Sequence, residues 1–225
     1  MGFSGIFFAI SDKAPREDVW SQPESGRARA EEVMQQLFGD RYEYSKESDV
    51  YSATLSGDRL WVGNWGNTII VAGDYGDSAP PLELPEGFGT WELMLQSSVD
   101  AFGFVVKGGP WGDRELEMDP DNGTNFQETM TGKPLPFEEP YFRGEHSMYD
   151  EDEAPEDQYP LPFHPLDLGN AAMLWSFGIE AETPPRDDVM TPLMHDPHFR
   201  EDVVMHEFAL AEAPKRKKFK FFGAK

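Results

Sequence analysis

The chain has 225 residues, 39% of them hydrophobic, including six Trp, seven Tyr and seventeen Phe, and it sets forty-two Asp and Glu against nineteen Lys and Arg. That apolar content is enough for a sizeable core and excludes disorder throughout. The formal charge of −23 opposes contact between the body and a phosphate backbone, since nucleic-acid binding draws its affinity from phosphates neutralised by Lys and Arg. The absence of cysteine removes disulfides, thiolate metal sites and a cysteine nucleophile.

Residues 3–10 are an apolar run bounded by Ser11-Asp12 and Pro15, the pattern of a buried first strand. No basic stretch precedes this run, and residues 5–10 are too short for a signal-peptide core. No stretch of ~18 apolar residues follows anywhere, so a cytosolic protein without a membrane span is expected. Ala30, Val33, Met34, Leu37 and Phe38 fall at helical spacing within residues 27–38, and Gly39-Asp40 closes that helix. Residues 51–72 shift to short runs of Val, Ile, Trp and Tyr, with turns at residues 56–58 and 64–67, and read as three strands.

Residues 76–89, punctuated by Pro80, Pro81 and Pro85, read as a loop, after which Thr90 is expected to cap a helix to about residue 99 with Trp91, Leu93, Met94 and Leu95 near its buried side. Residues 101–106 and 114–118 read as strands, separated by Gly108-Gly109-Pro110. Residues 133–165 hold seven prolines and the acidic cluster Asp150 to Glu153 with Glu156 and Asp157. Such a stretch forms a long surface excursion, pinned by Phe137, Tyr141, Phe142, Tyr159 and Phe163. Leu168, Ala171, Ala172, Leu174 and Trp175 share one face of a helix over residues 166–177 that Gly178 ends. Residues 203–210 fit a final strand or a short helix, with the strand preferred.

The order strand, helix, strands, helix, strands is that of an α+β protein with a largely antiparallel sheet and three or so helices packed on it. One domain over residues 1–213, including the excursion at 133–165, is followed by a flexible tail over residues 214–225. That tail is the sharpest feature of the chain. Its last eleven residues read KRKKFKFFGAK and hold six of the nineteen basic side chains and no acidic one, which leaves thirteen bases against forty-two acids in residues 1–214, a formal −29.

Four segments, FGFVV (102–106), MDPDNG (118–123), GKPLPFEEPYFRGEH (132–146) and YPLPFHPLDLGNAAM with the FG that follows at 177–178, together resemble an uncharacterised actinobacterial family classed as a domain of unknown function, over roughly residues 100–180. Before residue 100 the likeness is in the order of elements alone, and the tail lies outside it. The resemblance implies a bacterial cytosolic protein and transfers no catalytic residue.

Candidate sites can be weighed on their chemistry. His195 and His198 lie three apart, with His206 eight further on and Asp196, Glu201 and Asp202 between them, but Pro197 breaks any helix that would align the pair and the spacing matches no zinc motif; a solvated loop is the reading preferred. His164 stands between Pro162-Phe163 and Pro165, a rigid setting from which it could do acid–base chemistry with Glu138, Glu139, Arg143 or His146. The blander and preferred reading is that His164 hydrogen-bonds and helps cap the helix that follows. Asp119, Asp121 and Asn122 before Gly123 lack the calcium-loop register and suit a hairpin turn. Gly63, Gly66 and Gly73 sit in strand-like sequence instead of a strand-to-helix phosphate loop, and no Gly-x-Ser-x-Gly elbow occurs. No cofactor and no metal are expected.

In the tail, Lys215, Arg216, Lys217, Lys218 and Lys220 interleave with Phe219, Phe221 and Phe222. This combination suits RNA, anionic lipid, or an acidic protein surface, including the chain's own body or a sister subunit. Exposed aromatics are a liability unless covered, which argues for docking over a purely solubilising role. The sequence therefore reads as a non-enzymatic interaction module, of the immunity or antitoxin kind or with an assembly role, that meets a protein partner or itself through its acidic surface and its tail. The alternatives are a hydrolase or metal-assisted enzyme with a cleft near His164, and nucleic-acid association through the tail.

Overall fold

A computed structural model describes residues 4–49, 58–75, 83–120, 130–146, 161–179 and 203–211. Eight strands occur among them: β1 (Ser4–Ser11), β2 (Tyr42–Asp49), β3 (Arg59–Trp65), β4 (Thr68–Ala72), β5 (Gly89–Gln96), β6 (Ala101–Gly108), β7 (Arg114–Met118) and β8 (Val204–Leu210). They form one sheet in the order β2-β8-β3-β4-β1-β5-β6-β7, and every pairing is antiparallel. Four helices accompany it: α1 (Arg16–Val19), α2 (Arg27–Phe38), α3 (Glu139–Phe142) and α4 (Pro165–Ser176). This is the α+β class that the order of elements implies.

Successive side chains of a strand point to opposite faces, so each face can be read by parity. On the first face, Phe7 and Ala9 of β1, Trp91, Leu93 and Leu95 of β5, Phe102, Phe104 and Val106 of β6, and Leu116 and Met118 of β7 are buried in one cluster with Leu168, Ala172 and Met173 of α4. The helix can lie close because Gly169 has no side chain; a Cβ there would collide with Leu95 and stand 3.1 Å from Phe102. Leu135, Phe137, Tyr141 and Phe163 join the same cluster, so the Pro-rich excursion contributes to the core through α3 and its flanks, and Trp61, Ile70 and Met205 carry the cluster on across β3, β4 and β8. Tyr159, also expected to pin it, lies outside the described residues. On the second face, Leu60, Val62, Val71 and Phe208 pack against Ala30, Val33, Met34 and Leu37, the helically spaced stripe of α2. β1 crosses the middle of the sheet between the two halves and has apolar residues on both faces, with Ile6 and Phe8 on the second, half-buried.

Two elements depart from the expectation. Residues 90–99 hold no helix: residues up to Gln96 are β5, paired with β1 through Leu93↔Phe7 and with β6 through Leu93↔Phe104. The physical reason is a period of two, since Trp91, Leu93 and Leu95 are buried while Thr90, Glu92, Met94 and Gln96 are not. β2 was not expected at all, because Glu43, Ser45, Glu47 and Asp49 leave it with little apolar content; it is an edge strand held by β8. Of the three strands expected over residues 51–72, two are β3 and β4, and residues 51–57 lie outside the described set. Residues 204–210 are the preferred strand, and it inserts between β2 and β3 although it comes last in the chain.

A candidate partner-binding groove

The second face changes character beyond β1. There β5, β6 and β7 present Glu92, Met94, Gly103, Val105, Glu115 and Glu117, with Met94, Gly103, Val105 and Glu115 half-buried and Glu92 and Glu117 exposed. Register explains their meeting: Met94 pairs with Gly103 and Gly103 with Glu117, while Glu92 pairs with Val105 and Val105 with Glu115. Because Gly103 has no side chain, a hollow opens beside Met94, and the open depression that results has a volume of about 160 Å³. A Cβ built on Gly103 would stand 3.7 Å from Met94 Cε, an ordinary contact, so neither packing nor backbone geometry demands glycine at this position.

The floor of this groove is apolar and its walls are acidic. Lys107 reaches Glu115 at 3.6 Å across the strand pair, with both side chains about half exposed, a contact worth ~0–1 kcal/mol. At the Glu92 end stands Tyr75, a buried phenol beside the Glu92 carboxylate. Burial, and then the neighbouring Glu92 carboxylate, push its pKa well above the ordinary tyrosine value. Phe8 packs edge-on against Tyr75 with ring centroids 6.1 Å apart, extending the apolar floor toward β1.

The residues proposed around His164 do not converge. His164 Nδ1 accepts a hydrogen bond from the Leu166 N–H at 3.2 Å, capping α4, and its Nε2 lies 3.7 Å from Asp100. Glu138 is fully buried elsewhere: its carboxylate takes the Arg114 guanidinium at 3.0 and 3.1 Å from Nε, and also accepts from the Leu135 N–H at 3.0 Å. Glu139 and Arg143 are exposed and lie 3.9 Å apart, with Arg143 closer to Glu145 at 2.9 Å. His146 stacks on the Tyr141 ring at a centroid separation of 4.4 Å.

His195, His198, Asp121, Asn122 and every residue of the tail from Lys215 to Phe222 lie outside the described residues. His206 is buried in β8 and meets Glu24 at 3.2 Å, a partner that its own neighbourhood in the sequence could not reveal. Among the described residues no group of three or more His, Asp and Glu could hold a metal ion, and no helix is long and apolar enough to cross a membrane.

A single antiparallel sheet of eight strands with helices packed on it, and an acid-walled hollow over β5–β7 that no described residue covers, define the chain as an α+β protein. The chain belongs to DUF6928, a family of unknown function whose model matches residues 5–196, from β1 onward and well beyond the segments whose likeness was visible by inspection. No curated protein and no solved structure matches it.

Proposed function

We propose that the protein is a non-enzymatic interaction module that grips a basic, aromatic segment of a protein partner in the groove over β5–β7. The observation that carries this reading is the combination of shape and charge at Gly103. A hollow of about 160 Å³ is on the scale of the ~150 Å³ apolar cavity that accepts a benzene ring. Its carboxylate walls, Glu92, Glu115 and Glu117, favour a ring flanked by Lys or Arg. The acidic excess of the body, forty-two acids in the chain, would steer a cationic partner toward it and speed encounter. An immunity-like role, in which an acidic face neutralises a basic protein, is one biological form of this chemistry.

The test is a titration of the full chain, with Phe219, Phe221 and Phe222 each changed to Ser, using the synthetic peptide (Lys-Phe)3 and the control peptides (Lys-Ala)3 and (Glu-Phe)3. Saturable amide shifts centred on Met94, Gly103 and Val105 are expected for (Lys-Phe)3. The change Gly103→Val, which fills the hollow with a strand-favouring side chain, is expected to weaken binding about tenfold. Equal affinity for (Lys-Ala)3, or binding indifferent to Gly103→Val, would contradict the reading.

A further inference from the structure

We infer that Lys107 is the groove's built-in competitor: its ammonium holds the Glu115 carboxylate in the free chain, and a cationic ligand has to displace it. The inference rests on the groove reading above and deepens it, because it names the residue that raises the threshold such a ligand must meet.

Placement is the first observation. Lys107 shares the second face with Gly103 and Val105 by parity. Register fixes its neighbours there: it pairs with Thr90, one row beyond the row in which Glu92, Val105 and Glu115 lie side by side. Among the residues of β5, β6 and β7 it is the one cation on this face, because Arg114 belongs to the other and is buried with Glu138. The Lys107 ammonium thus reaches in from the rim to Glu115, which lines the hollow, while Lys107 itself does not line it.

The second observation is that this contact is loose. Nζ stands 3.6 Å from Glu115 Oε2, well beyond the ~2.8 Å of a charge-assisted hydrogen bond. Both side chains are about half exposed, so water and salt screen the pair and a ligand ammonium has access to the same carboxylate. Other carboxylates of the fold are held differently. Glu138 is sealed by Arg114, and Glu207, buried in β8, has Arg59 at 2.5 Å and Lys46 at 3.6 Å. Those cations neutralise buried acids, whereas Lys107 covers an accessible one.

The third is that the sheet does not depend on the pair. Eight pairings join β5 to β6 and five join β6 to β7, so the strands keep their register without it. Removing the charge of Lys107 relieves both competition for Glu115 and plain repulsion of ligand cations, and a double-mutant cycle with Glu115 separates the two.

The cycle is read by titration with (Lys-Phe)3, in the chain with Phe219, Phe221 and Phe222 each changed to Ser and at ~0.15 M salt, where long-range repulsion is screened. Lys107→Met, which keeps an apolar stem, is expected to tighten binding about fivefold, and Lys107→Gln to repeat the gain. In the Glu115→Gln chain the same change is expected to matter by less than about twofold, since the acid for which the two ammonium groups compete is gone. In the parent, saturating peptide should move the Lys107 ε-methylene signals to the positions they take in peptide-free Glu115→Gln. No gain from Lys107→Met would overturn the inference. An equal gain in both backgrounds would overturn it too, because Lys107 would then act only as a distant like charge, and so would ε-methylene signals that stay in place at saturation. Each of these outcomes leaves the groove reading standing. If (Lys-Phe)3 binds none of the chains, the groove reading fails and takes the inference with it.

Discussion

Tyr75 and Tyr141 are both buried phenols, and their hydroxyls are treated differently. Tyr141 donates to the Asp167 backbone carbonyl at 2.8 Å, and burial followed by the Asp167 charge pushes its pKa up to about 12. The Tyr75 hydroxyl stands beside the Glu92 carboxylate, and burial and then Glu92 raise its pKa as well. Tyr141→Phe should therefore lower stability by about 1 kcal/mol in urea denaturation, since it deletes a satisfied, part-buried hydrogen bond. Both pKa values are raised in the folded state, so between pH ~10, where unfolded tyrosine titrates, and pH ~12 the unfolded chain binds fewer protons than the folded one. The contribution of these groups is fully present below pH ~10 and is lost as pH rises through that window. The double change Tyr75→Phe with Tyr141→Phe should flatten that fall in denaturation midpoints measured across it.

At the scale of elements, α2 was legible from the helical period of its stripe and β1 from an unbroken apolar run bounded by turn residues, the mark of a strand covered on both faces. β5 was misread for an instructive reason. Trp91, Leu93 and Leu95 alternate as a strand should, but Met94 adds an apolar residue on the other face, and the set 91, 94, 95 then imitates a helix. Met94 is part of the groove floor, so the residue that blurred the pattern belongs to the candidate site. β2 escaped notice because an edge strand needs little apolar content when a neighbour supplies its hydrogen bonds. Glu138 and Arg114 show the limit of local reading: they are 24 residues apart, and only the fold makes them a buried pair. Glu138→Ala strands a buried guanidinium and should cost about 3–5 kcal/mol, while the joint replacement Arg114→Met with Glu138→Leu should recover most of that loss. Denaturation of both variants checks it, and equal loss in the two would show that the pair's own hydrogen bonds, including those to the Thr131 carbonyl and the Leu135 N–H, hold the segment around α3 and that a stranded charge is not the cause.

For the molecule as a whole, charge was readable at once and its placement was not. Forty-two acids in one chain nominate no pair by spacing, and Glu92, Glu115 and Glu117 become one surface only through the β5-β6-β7 register. The hollow among them comes from a side chain that Gly103 lacks, a feature that periodicity does not register. The central claim is that this hollow takes an aromatic ring held between cations. The most direct measurement is the nuclear Overhauser effect between the Met94 methyl group and the ring protons of (Lys-Phe)3 at saturation, in the chain with Phe219, Phe221 and Phe222 each changed to Ser. The account expects strong contacts from one Phe ring to that methyl, lost in Gly103→Val; a saturated complex in which the Met94 methyl is silent and unshifted would contradict it.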